Sequence, residues 1–100
     1  MSTDFTNWQI FQSNEDVLIV HSTLNGDQLT GTVVTDDEEL VGQLNGSVTG
    51  TGFGSIADFK IFWDDGSVGS YLGTLDHDIR LVGVTFSVDD PVTQETFVSS

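Results

Sequence analysis

Few residues in this chain could do chemistry, and the most suggestive of them gather around one turn. Trp63 and Tyr71 flank the segment Asp64-Asp65-Gly66, with Ser67 between them. Two aromatic rings and a hydroxyl at that spacing suit a small-molecule pocket. Aromatic walls bury an apolar body, and a few polar groups fix its orientation. The same side chains would equally serve as core filling. His21 follows Val17 and Ile19 at every second position. It is either an inward hydrogen-bonding or titrating group, or a histidine at a barrel mouth or outer face, satisfied by water or a neighbour. Thr35 ends the run QLTGTVVT and offers a ligand one more hydroxyl. His77 sits between Asp76 and Asp78, but no second histidine and no cysteine lies near it in sequence. That pattern reads as a solvated turn, not a metal site. Asp64-Asp65-Gly66 and Asp89-Asp90-Pro91 supply oxygens, yet neither has the alternating ligands of a calcium loop, and turn chemistry accounts for both. No Ser-His-Asp elbow, phosphate-binding loop or dinucleotide fingerprint occurs. A base paired with a hydroxyl, His21 with Thr85 or Tyr71, is conceivable without positive support. The expectation is a protein that is not an enzyme and uses no cofactor and no metal.

The elements that must position these residues are strands. No sustained i, i+3, i+4, i+7 apolar stripe appears. Short β-rich runs alternate instead with Gly, Asn and Asp clusters. The runs cover 8–12, 17–24, 28–35, 40–49, 56–63, 68–75, 79–88 and 95–99. Asn25-Gly26-Asp27 is a hairpin signal, and the only proline, Pro91, is placed in a turn. Because every connection is short, each strand should pair with its successor. An open sheet of eight strands would leave two edges exposed, and closure removes them. The predicted architecture is all-β: one domain over residues 1–100, an eight-stranded antiparallel up-and-down barrel. In the fifth run Phe59, Ile61 and Trp63 share one side, opposite Asp58 and Lys60. In the seventh, Val82, Val84 and Phe86 form an apolar set opposite Leu81, Gly83 and Thr85. A strand apolar on both faces is covered on both. This predicts a partner subunit on the seventh strand, hence a homo-oligomer, with the segment around Phe5 as the alternative cover.

Charge limits the partners. Sixteen acids face one lysine and one arginine, a formal net charge of −14. Such a surface repels nucleic acid and anionic membranes. It fits adaptation to high salt or simple solubility, and as a second function it fits an acidic module that blocks a basic partner by charge mimicry. No apolar run approaches the ~20 residues of a membrane span. The first residues lack the basic start and apolar stretch of a signal peptide, so the default expectation is cytoplasmic, with a mature form whose signal has been removed as the alternative. The chain has no cysteine, which removes disulfides and thiolate chemistry.

Several motifs, taken in order, resemble the avidin and streptavidin family. Trp8 opens the first strand, and Leu18-Ile19-Val20 resembles the family's apolar second strand. Leu29-Thr30-Gly31-Thr32 matches its LTGT, and Leu40-Val41-Gly42 resembles the LTG of its fourth strand. Trp63 ends the fifth strand, and Ser67-Val-Gly-Ser-Tyr71-Leu-Gly73 resembles the sixth. The resemblance spans about residues 8 to 98 and implies an avidin-like or lipocalin-like barrel. The family's biotin-binding positions carry over poorly. Ile10 stands at the asparagine position and Val33 at the tyrosine position after LTGT. Gly69 replaces a threonine, Tyr71 a tryptophan, Thr85 a tryptophan and Phe97 a tryptophan. Asn14 or Ser13, Thr35, Trp63 and Ser67 remain as matches. A buried polar group left without its partner costs ~1–3 kcal/mol, so high-affinity biotin binding is not expected. The expected ligand is a small hydrophobic or mixed-polarity molecule held by Trp63, Tyr71, Ser67, His21 and Thr35.

Overall fold

In the computed structural model, which describes residues 5–50, 54–76 and 80–99, the β-rich runs become eight strands. They are β1 (Asn7–Gln12), β2 (Val17–Asn25), β3 (Gln28–Thr35), β4 (Val41–Thr49), β5 (Ile56–Trp63), β6 (Val68–Leu75), β7 (Leu81–Ser87) and β8 (Asp90–Ser99). Each strand pairs antiparallel with the next, and β1 pairs with β8, so the sheet closes into an up-and-down barrel. The closing seam is short. Ile10 faces Ser99, Phe11 faces Val98 and Gln12 faces Phe97. The turn after β1 lengthens it. Ser13 N donates to Thr96 O at 2.8 Å, and Ser13 Oγ accepts from Thr96 N at 3.0 Å while donating to Glu95 Oε2 at 2.6 Å.

Local sequence explains most boundaries. Gly26, at φ 63°, is the first central residue of the two-residue turn between β2 and β3, where a left-handed residue matches the twist of the flanking strands. One boundary departs from the sequence expectation. The last strand begins at Asp90, not Glu95, so Pro91 lies inside a strand and not in a turn. Phe86 opposes Gln94 whereas Ser87 opposes Asp90. The intervening residues of β8 therefore bulge out of the ladder, where the missing proline N–H breaks no pairing.

The interior is filled, and strand alternation fills it. β5 buries Ala57, Phe59 and Ile61 while exposing Ile56, Asp58, Lys60 and Phe62. Phe59 stacks on Tyr71 with centroids 5.1 Å apart and planes at 1°. Trp8 and Phe97 meet Phe59 edge-on, at 6.0 and 6.5 Å. Rings this large fit a small barrel only opposite small residues. Gly46 stands across from Phe59, and a Cβ there would overlap the Phe59 backbone and its Cβ. Phe5 packs edge-on against Trp8 at 5.4 Å and closes that end. Beneath it Ser22 Oγ accepts from Trp8 Nε1 at 2.9 Å and donates to the Phe5 carbonyl. Among the described residues, no buried polar side-chain atom lacks a partner.

Candidate functional site

At the opposite end, where the turns after β1, β5 and β7 lie, the barrel keeps a solvent-open hollow of about 270 Å³. The inward phase of the strands builds it. Tyr71 faces Thr85, and Thr85 faces Glu95, so one inward row crosses β6, β7 and β8. Trp63, half-buried at the end of β5, packs against the core and forms a wall. Gly69 separates the two aromatics. A Cβ there would stand 3.1 Å from Tyr71 Cε1 and 3.8 Å from Trp63 Nε1, so the missing side chain keeps the hollow open.

Hydrogen bonds set its polarity. The Tyr71 hydroxyl donates to Gln12 Oε1 at 2.6 Å. Burial pushes this phenol up to about 12, slightly offset by a hydrogen bond with Thr85, so it is neutral across ordinary pH. Ser67 donates twice to Asp65 Oδ1, from Oγ at 2.6 Å and from N at 2.9 Å. Those bonds hold the Asp65 carboxyl below its ordinary value. Glu95 brings a carboxylate to the rim, steadied by Ser13.

The structure gathers three of the five expected ligand residues, Trp63, Ser67 and Tyr71, around this hollow. The other two stand elsewhere. Leu18, Val20 and Ser22 set the inward phase of β2, so His21 points outward. It is exposed, with Nδ1 2.5 Å from Asn7 Oδ1. Thr35 organises the turn after β3, donating to Asp37 Oδ1 at 2.6 Å and accepting from Leu40 N at 3.2 Å. It lines a separate depression with Asp16, Asp36, Asp37 and Glu39. His77 lies outside the described residues. Among the described residues, no three His, Cys, Asp or Glu side chains are grouped to hold a metal ion. Gln12, Gly69 and Glu95 are site residues that sequence reasoning missed. The inward parity of the sixth strand marks Gly69, whereas Gln12 and Glu95 join the site only through closure and the bulge in β8.

Two further surfaces bear on function. Ile10 and Val33 are wholly buried and offer only hydrocarbon to the interior. On the outside, Ile56, Leu72 and Val84 are 49%, 47% and 36% exposed. They edge a groove floored by Gly73 and Gly83. Phe5 itself is buried against Trp8, so it is not the residue that covers this face. Compared with protein-family models, with curated proteins and with solved structures, the chain matches none.

Proposed function

We propose that the protein is a binding module that takes a small molecule of mixed polarity in the mouth hollow. The observation carrying this reading is the space held by Gly69 between Trp63 and Tyr71, at the mouth of a barrel whose core is one hydrophobic cluster. A shallow cavity with aromatic walls and a few convergent polar groups is the usual form of a small-molecule site. Biotin is a poor candidate even if the resemblance to avidin holds, because Ile10 and Val33 stand where that family holds the ureido group, and a titration with biotin is expected to show no micromolar binding.

The two tryptophans make the site testable. Trp8 is core and Trp63 is wall, so their indole N–H signals in an NMR spectrum report separately. A panel of fragment-sized molecules should contain some that shift the Trp63 signal and leave Trp8 in place. Gly69→Val should abolish that response while the protein still melts cooperatively. A panel that never moves Trp63, or a Gly69→Val variant that responds like the parent, overturns the reading.

Self-association through the outer face of β5, β6 and β7 is the second part of the proposal. Ile56, Leu72 and Val84 form an uncharged apolar strip, with Asp58 and Lys60 beside it on β5. A second copy could thus meet both the strip and a charge of each sign. Leu72→Lys should shift the protein toward monomer in sedimentation. A parent chain that sediments as monomer at high concentration contradicts it.

A further inference from the structure

We infer that the mouth hollow selects a small organic cation, an alkylammonium seated between the Trp63 indole and the Glu95 carboxylate. This rests on the mouth-site reading and gives its ligand a chemical class. The Ser67 hydroxyl spends its proton on Asp65, and the Tyr71 hydroxyl spends its proton on Gln12. What both present to a ligand is oxygen lone pairs. Glu95 can only accept when ionised, and one of its oxygens already takes the Ser13 proton. At these three residues a ligand that brings protons or positive charge is the one that finds partners. Neutral donors also line the hollow, from the Trp63 indole, the Gln12 and Asn14 amides and the Thr85, Ser87 and Thr93 hydroxyls, but Glu95 is the one charged group among the lining residues, and its charge is negative.

Aromatic walls strengthen the same preference. An ammonium over an indole is attracted by the ring's quadrupole, and desolvation increases that attraction. No lysine or arginine lines the hollow to oppose it. The chain's net charge of −14 raises the local concentration of any cation. The volume, about 270 Å³, lies at the small end of ligand cavities and suits a compact headgroup.

The test uses three molecules of one shape on the whole protein: choline, the uncharged dimethylbutanol and the anionic dimethylbutanoate. Calorimetry measures affinity, and the Trp63 indole signal locates binding. Choline should bind at least about tenfold more tightly than the alcohol, and the carboxylate should not bind. Glu95→Gln, which keeps an acceptor for Ser13 but removes the charge that attracts a quaternary ammonium without any N–H, should lower choline affinity about tenfold. Asp27→Asn removes the same charge from the turn between β2 and β3 and should change affinity less than about twofold. Should the alcohol or carboxylate match choline while shifting Trp63, the mouth site stands and the cation inference is overturned. Equal losses from Glu95→Gln and Asp27→Asn would reduce the effect to diffuse attraction and overturn it too. A Trp63 signal that none of the three moves defeats both the inference and the site.

Discussion

Tyr71 is the residue whose surroundings say most about the barrel. It stacks on Phe59, hydrogen-bonds Gln12 and is nearly withdrawn from water. Its folded value of about 12 lies above the ordinary 10.0, so the unfolded chain gives up this proton first. The stabilisation is complete below pH ~10 and is lost as pH rises through ~12, by roughly 2–3 kcal/mol. Tyr71 is the only tyrosine, so an ultraviolet titration reads it alone. A midpoint near 12 is expected, and a midpoint near 10 would place the ring in water. Legibility at this scale followed side-chain direction. Trp63, Ser67 and Tyr71 could be read from their spacing because one short turn brings them together. His21 could not be placed, because apolar residues on both sides of β2 left its phase undecided until Trp8 took Ser22 as its partner. Thr35 stands apart from the hollow because a hydroxyl ending a strand serves the following turn as readily as a ligand.

At the scale of elements, pairing large side chains with glycine determines how the strands fit. Gly46 opposite Phe59 is the tightest such pair in the aromatic centre. Gly46→Ala should cost about 1–3 kcal/mol through overpacking, seen as a lower denaturation midpoint with an unchanged slope. No loss of stability would mean that the interior is looser than described. Seven of the eight strands could be read from alternation and turn residues with ends correct to a few residues. The eighth was cut short because proline and paired aspartates signal a turn, and a bulge imposed by the partner strand has no local signature. That bulge also hid the site role of Glu95.

Two properties belong to the molecule as a whole. One is its charge. With a radius of gyration of 12.4 Å, acids on opposite sides repel one another at ~0.01 M salt, where the screening length is about 30 Å, and scarcely at ~1 M, where it is about 3 Å. The melting temperature should therefore climb as sodium chloride is added. A flat or falling curve would mean that self-repulsion does not limit stability. The other property is closure, which the sequence supports through the two bare edges that eight short strands would leave and through the resemblance to the avidin family.

Only the ring brings Gln12 to Glu95 and Tyr71, so the complete site depends on the seam between β1 and β8. The most direct measurement is an amide-resolved nuclear Overhauser spectrum of the protein in solution. Close cross-strand contacts joining Ile10 to Ser99 and Phe11 to Val98 are expected, with slow hydrogen exchange along both strands. Their absence, with rapidly exchanging amides on β1 and β8, would show an open sheet and take the binding site with it.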